Sequence, residues 1–244
     1  MRLAIVGFGP KGLFCLESLA AELAESEATP RVLIDVYEPH TYPGAGVVYD
    51  PTQPAYLLMN YAAKYVNAWS KTERDKPGKL SLVEWLAVFR PEYACAEKFI
   101  PRATVGEYLT WCLQQILLKS PSPVTVRFLR SRVTSVSRQS AWSIKSVAEA
   151  SGSISHFSYD SVLLTTGHGH LSGVEKAGGM LRVYPTDDWL SEARIKPASR
   201  VRIRGFALTW IDATLALTEG RGGSFTRGGL DELKYHASGL EPAI

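Results

Sequence analysis

A short apolar run, Leu3 to Val6, breaks at Gly7-Phe-Gly-Pro-Lys-Gly12, and Leu13 to Leu23 then carries apolar residues at helical spacing. This order of strand, G-x-G-x-x-G and helix restricts the possible folds more than any other feature of the sequence. The glycine pattern alone is weak, but between a buried strand and a helix it reads as a dinucleotide-binding fingerprint. Gly7 permits the tight turn, Gly9 lets backbone N–H groups approach a pyrophosphate, and Gly12 lets the helix pack close on the strand. The pyrophosphate would rest on the unsatisfied N–H groups and positive dipole end of that helix. Pro10, with its fixed φ and missing N–H, suits the first helical turn.

The fingerprint calls for an acidic side chain at the end of the second strand, to accept from a ribose hydroxyl. The next strand-like run, Arg31 to Tyr37, ends on Glu38, 26 positions beyond Gly12 where about 20 is usual. Ser26 to Pro30 reads as an insertion that lengthens the helix and loop. A carboxylate at this place disfavours a 2′-phosphate, so the expected ligand is FAD or NAD rather than NADP. The competing reading makes Gly9 and Gly12 ordinary turn glycines and Glu38 a solvated strand end. The ordered strand, loop, helix, strand and acid weigh against it.

Composition narrows the function. A formal charge of +3 with scattered basic residues gives no case for nucleic acid, and 45% apolar with 21% charged residues is an ordinary globular balance. Cys15, Cys95 and Cys112 are too far apart for a metal pattern or a disulfide framework, and no C-x-x-C is present. A reduced, cytoplasmic location is expected. The glycines at 7 to 12 interrupt the apolar N-terminus too early for a signal peptide, and no stretch is apolar for long enough to span a membrane.

Further along, Pro39 to Pro51 is rich in Gly and Pro and reads as loop. Tyr56 to Trp69 mixes aromatic groups with Asn60 and Asn67, and reads equally as the wall of a ring-binding pocket or as a buried irregular segment. Ser81 with Glu84 forms a capping box for a helix, and Thr104 with Glu107 suggests a second helix over 105–118, ended by Ser120 to Pro123. Arg102 stands just before that helix as a ligand-facing or surface arginine. Four alternating runs, from Val124, Arg132, Trp142 and Ile154, read as an antiparallel meander inserted in an otherwise parallel fold. Asp160 to Gly169 then reads as a strand returning to the parallel sheet, and 170–198 as loop. Arg200 to Thr218 repeats the opening theme of strand, glycine turn at Gly205 and apolar helix, without the second and third glycines.

Taken together, Gly7-Phe-Gly-Pro-Lys-Gly-Leu13, Gly44-Ala-Gly-Val-Val-Tyr-Asp50, Leu57-Leu-Met-Asn-Tyr-Ala62, Thr165-Thr-Gly-His168 and Arg204-Gly-Phe-Ala-Leu-Thr-Trp-Ile-Asp212 resemble FAD/NAD(P)-binding Rossmann proteins, as does Leu217-Thr-Glu-Gly-Arg-Gly-Gly223. The nearest group is the bacterial one distantly related to flavin-dependent N-hydroxylating and Baeyer–Villiger monooxygenases. The resemblance implies an α/β fold: a Rossmann-like, three-layer FAD-binding domain over 1–169 with the meander inserted, and over 170–244 a linker and the start of a second Rossmann-like unit. It implies FAD held by Gly7, Gly9, Pro10, Lys11 and Gly12, with Glu38 on the adenosine ribose. Gly44, Gly46 and Asn60 would then lie toward the flavin, and Thr166 and Gly167 at the crossing back to the cofactor. Gly205 and Thr209 would belong to the unit for NAD(P)H, the implied reductant. Members of the group run well beyond this length, so the sequence reads as the N-terminal portion of a longer protein or as a shortened relative.

The implied activity is that of an oxidoreductase passing hydride from reduced nicotinamide to flavin, with a small-molecule substrate. A dinucleotide-binding module without turnover and a single-Rossmann NAD-dependent dehydrogenase are the alternatives. The residues nominate no general acid or base and no metal site. His168 and His170 flank Gly169, a spacing too weak to imply a metal.

Overall fold

The computed structural model describes residues 1–26, 31–119, 124–167, 180–228 and 232–244. Two compact units emerge. One comprises residues 1–51, 62–100 and 104–169, and the other 52–61, 101–103 and 170–244.

The first unit is built on a parallel sheet. Strand β1 (Arg2–Val6) leads through the glycine loop into helix α1 (Pro10–Glu25) and strand β2 (Val32–Tyr37). With β3 (Val124–Leu129) and β7 (Ser161–Leu164) they form a four-stranded sheet in the order β3-β2-β1-β7. All three pairings are parallel. This is the 3-2-1-4 arrangement of half a doubly wound nucleotide-binding fold, with β7 in the fourth place. Strand period puts Ala4, Val6, Asp35 and Tyr37 on one face, and Ile5, Ile34 and Val36 on the other. Both sets are buried, which is why β1 and β2 read as near-continuous apolar runs.

A three-stranded antiparallel sheet, β4 (Ser131–Arg138), β5 (Trp142–Ala148) and β6 (Ile154–Tyr159), packs on the first of these faces. Ala4, Val6 and Tyr37 meet Ile144 and Tyr159 there. The expected inserted meander is thus present, but with three strands. The fourth alternating run, from Val124, instead pairs with β2 as the parallel edge strand β3. An edge strand half-open to water carries the same inward–outward alternation as a meander strand, so periodicity could not separate the two.

Asp35 is fully buried on this face. Its carboxylate accepts from Arg127 Nε at 2.7 Å and Nη2 at 2.8 Å, and from the Tyr159 hydroxyl at 2.8 Å. Arg2 Nη2 lies 3.4 Å away, and Tyr37 and Tyr159 share a 2.6 Å hydroxyl bond. One charged side chain therefore ties β1, β2, β3 and β6 together.

Helices α2 (Leu82–Phe89) and α3 (Arg102–Lys119) come between β2 and β3. The capping box at α2 forms as expected: Ser81 Oγ accepts from Glu84 N, and the Glu84 carboxylate accepts from Ser81 N at 2.7 Å. Ser81→Ala should cost about 1 kcal/mol. Denaturant unfolding of the variant checks this, and an unchanged midpoint would refute the cap.

The second cap does not form. Helix α3 begins at Arg102, so Thr104 is buried inside its first turn, and Glu107 pairs with Arg90 at 2.8 Å. The region around Tyr56 to Trp69 is divided between the two units. Within the first, Ala63, Ala68 and Trp69 are core, with Trp69 Nε1 donating to Leu80 O, and Asn67 turns back on Trp69 N. From residue 62 to 69 the chain alternates buried positions (Ala62, Ala63, Ala68, Trp69) with exposed Lys64 and Tyr65 around a single 3-10 turn, Ala63–Tyr65. Helix α3 ends at Lys119, and the expected stop signal lies outside the described residues.

The second unit gathers helix α5 (Leu208–Leu217), the short helix α4 (Thr186–Trp189) and a hairpin of β8 (Ser224–Arg227) and β9 (Leu233–His236). Its core is Leu190, Ile195, Ala213, Ala216 and Leu217, with Val201 and Ile203 packed against it. The sequence suggested a strand from Arg200 and only loop over 170–198. Residues 200–204 alternate inward and outward as a strand would, but their pairing is a single bridge, Arg200 to Ala243, and α4 falls within the expected loop. The side-chain pattern of a strand is present; the neighbouring strand that would give it a ladder is not, among the described residues. Gly178 and Gly179 lie outside those residues.

Candidate dinucleotide site

The site is assembled where β1, β2 and β7 end, the carboxyl edge of the parallel sheet and the usual place for a ligand in open α/β sheets. β1 stops because Gly7 turns at φ +80°, a left-handed conformation that favours glycine. Its N–H still donates to Tyr37 O at 2.9 Å, so the loop leaves the sheet from a fixed point. A methyl group on Gly7 would come 2.8 Å from Thr165 O and 2.9 Å from Thr166 Cα. Gly12 is as confined, since a Cβ there would meet Phe8 Cδ2 at 2.9 Å and Gly7 O at 3.1 Å. The Phe8 ring is fully buried edge-on to Phe128 and has no room to give way.

Gly9 is different. Its backbone is extended (φ −81°), and the nearest atom to an added Cβ is Gly46 Cα at an ordinary 3.6 Å. The protein itself does not require glycine at position 9. What that position leaves open is the approach to the start of α1, which has no side-chain cap, no acidic residue in its first turn and Pro10 at its beginning. Unsatisfied N–H groups, the positive end of a sixteen-residue helix and a bare backbone together make an anion cradle. These features fit a dinucleotide pyrophosphate. Lys11 stands exposed in the first turn.

Two further segments close around the loop. Gly44 N donates to Phe8 O at 2.7 Å, and a Cβ on Gly46 would lie 3.0 Å from Gly9 Cα, so the loop after β2 packs directly on the glycine loop. Both glycines have positive φ. The structure packs both of them on the glycine loop. Gly106 in α3 secures that second loop from outside, because any side chain there would overlap the Tyr49 carbonyl. On the other flank Thr165 N donates to Val6 O at 2.9 Å and its hydroxyl donates to Gly7 O, which sets Thr166 beside Gly7.

Glu38 is buried and anchors the edge of the site. Its Oε2 accepts from Phe8 N at 2.6 Å, while Oε1 accepts from His40 N at 2.9 Å and lies 2.6 Å from His40 Nδ1. Burial pushes its carboxyl up, but the His40 and Phe8 hydrogen bonds outweigh it and hold the group below the usual carboxylate range. Glu38 is therefore an anion at neutral pH that both braces the glycine loop and offers acceptor capacity to a ligand.

Sequence reasoning gave no role to His40 or Gly106, and took Thr165 only as the start of Thr165-Thr-Gly-His168. His40 left one trace, two positions beyond a strand-ending acid.

Asn60, Gly205 and Thr209 belong to the second unit. All three are exposed, and Gly205 turns at φ +119° with open space around its Cα. Arg102 also belongs to this unit, where it is not a bare surface group: it pairs with buried Asp212 at 2.8 Å and donates from Nε to Leu58 O. His168, Gly169 and His170 lie outside the described residues. Among the described residues no three His, Cys, Asp or Glu side chains cluster as a metal site, and no helix is long and apolar enough to cross a membrane.

Residues 4–169 match the protein family described as FAD-NAD(P)-binding. The chain belongs to this family. FAD with a nicotinamide dinucleotide, the cofactor pair expected from the sequence, is the pair by which the family is described. The glycine loop, the second-strand acid and the returning β7 all fall inside the matched span. Among curated proteins, an L-aspartate N-monooxygenase (nitrosuccinate-forming) of Streptomyces cremeus is 31% identical over 276 aligned positions, covering 100% of this chain and 41% of that protein. A nitrosuccinic acid synthase of Aspergillus oryzae is 28% identical over 258 positions, covering 100% and 39%. The chain spans about two fifths of the length of these relatives. Among solved structures, Tmm from Pelagibacter sp. strain HTCC7211 superposes with a TM-score of 0.47 at 17% identity, over 74% of this chain and 39% of that one.

Proposed function

We propose that this chain carries the FAD site of a flavin-dependent oxidoreductase of the monooxygenase kind, acting on a small molecule with an oxidisable amino group. The observation that carries the reading is the cradle at Gly9, a position the protein could fill with a side chain but leaves bare in front of an uncapped helix, within a span matched to FAD-NAD(P)-binding proteins. The substrate class rests on the similarity to aspartate N-monooxygenases.

In this reading Gly9, Lys11 and Gly12 hold the pyrophosphate. Gly7 and Gly46 shape the loop around it, Glu38 takes the adenosine ribose, and Thr166 and Gly167 flank the passage toward the ring system. FAD, when bound, would accept hydride from reduced nicotinamide and supply reactivity toward O₂. The chain's own contribution is to bind, orient and partly bury the cofactor. Gly205 and Thr209 are proposed for the nicotinamide nucleotide, and Asn60 for the flavin side. The scattered charge supports a small-molecule substrate over a nucleic acid, and the free Cys15, Cys95 and Cys112 agree with a cytoplasmic location.

A module that binds the dinucleotide without turnover is the second reading, favoured by the single bridge, Arg200 to Ala243, that the strand-like run before Gly205 makes among the described residues. Both readings require a flavin spectrum, with its visible absorption band, that survives desalting after the purified protein is mixed with FAD, and a colourless product would refute both. Oxidation of NADPH or NADH by the FAD-loaded protein then separates them.

A further inference from the structure

We propose that His40 occupies, on the Glu38 carboxylate, an acceptor site that a ribose hydroxyl of the bound dinucleotide takes, so that ligand binding displaces the imidazole. This rests on the reading of Glu38 as the ribose-binding acid. A carboxylate has about four lone-pair sites. Three donors already fill Glu38: Phe8 N on Oε2, and His40 N and Nδ1 on Oε1. The two backbone donors are held by the fold, one in the glycine loop and the other in the turn after β2. The imidazole sits at the end of a rotatable side chain, and it is 42% exposed while Glu38 is 5% exposed. A ribose presents two adjacent hydroxyls, and Glu38 has one vacant acceptor site. The second hydroxyl therefore needs the place of His40 Nδ1.

His40 also differs in kind from the hydroxyl it would yield to, because it titrates near neutrality. The Glu38 bond holds its imidazolium above the ordinary value of 6.5, and burial works against this. The other charged groups facing it are Arg132 of β4, which opposes protonation, and Asp50, which favours it. Arg130 donates to the hydroxyl of Thr41, the residue after His40. Displacement removes the Glu38 partner, so the pKa of His40 falls back toward its ordinary value and a proton is released. By linkage, affinity rises with pH across the window from about 6.5 up to the raised value, by at most about tenfold per pH unit within that window.

FAD is the probe, titrated calorimetrically at pH 6 and pH 8 in buffers of different ionisation enthalpy, with His40 followed by NMR in the wild-type protein. Binding tighter by roughly three- to tenfold at pH 8 is expected, with proton release and a His40 pKa that drops when FAD binds. His40→Ala should bind FAD at least as tightly as wild type and lose most of the pH dependence. FAD binding with no proton release and an unmoved His40 pKa would overturn the displacement while leaving the ribose role of Glu38 standing. The wild-type NMR titration reads this even if the variant folds poorly. A protein that binds no FAD at either pH would overturn the site assignment and the displacement with it.

Discussion

Gly9→Ala is expected to weaken FAD binding on the order of a hundredfold while leaving the melting temperature within about 2 °C of wild type. The methyl group meets only Gly46 Cα at 3.6 Å, and the extended backbone at position 9 accepts any residue. The folded protein therefore has no reason to object, and the lost flexibility of the unfolded chain even favours alanine slightly. What the methyl obstructs is the approach of an anion to the first turn of α1. Losing two charge-assisted hydrogen bonds, at about 1.5 kcal/mol or more each, corresponds to the hundredfold loss. The neighbouring glycines make the internal control. Gly7→Ala and Gly12→Ala drive a methyl into Thr165 O and into the locked Phe8 ring, and should each cost about 1–3 kcal/mol of stability before any question of binding. Flavin fluorescence quenching and thermal melts on the three variants separate the effects. If Gly9→Ala binds FAD as wild type does, the cradle is not the pyrophosphate site.

Arg127→Met should cost about 3 kcal/mol, lowering the melting temperature by about 6–12 °C. The cost arises at Asp35 rather than at Arg127, whose side chain is half-exposed. Asp35 has no access to water, and without the guanidinium its charge is left to Tyr159 and a long contact from Arg2. Burial pushes the Asp35 carboxyl up, but the Arg127 and Tyr159 hydrogen bonds and the Arg127 charge outweigh it, and the group stays below the usual carboxylate range. A carboxyl held low in the folded state contributes stability that is fully present above its unfolded value of about 3.9 and is lost as pH falls through the folded value. Wild type should therefore lose stability on acidification below about pH 4, and Arg127→Met should lose less over the same interval because part of that contribution is already gone. Urea unfolding at neutral pH and at steps down through about pH 3.5 measures both. Equal midpoints for the two proteins at neutral pH would mean that Asp35 is neutral in the fold or paired elsewhere.

The glycine loop was legible because its requirements are local. A tight turn, a close helix and a bare approach each demand glycine at a set spacing, and Pro10 and Glu38 stand where the backbone geometry alone places them. Strands β1 and β2 and helix α1 were readable for the same reason, as was the capping box at Ser81. Thr104 had the same signature and is no cap, because the chain before it, from Pro101, was already drawn into place: Pro101 bridges to Leu58, and Arg102 reaches Leu58 O and Asp212. A cap is a local option that a tertiary contact one turn earlier can override.

From sequence alone, then, came the strand–loop–helix start, the acid that follows it and the cofactor class these imply. Each is a short-range constraint written in residue type and spacing. Tertiary structure alone decided that Val124 to Leu129 joins the parallel sheet instead of the meander, since hydrogen-bond partners across a sheet are not encoded in period-two alternation. It decided that residues 200–204, with the same alternation, gain only a single bridge. It brought Gly46 onto Gly9 and set His40 on Glu38, contacts that depend on how the loop after β2 folds back. It also separated three glycines that look alike in the sequence into two that the fold needs and one that it does not, because that distinction lies in the space around each Cα.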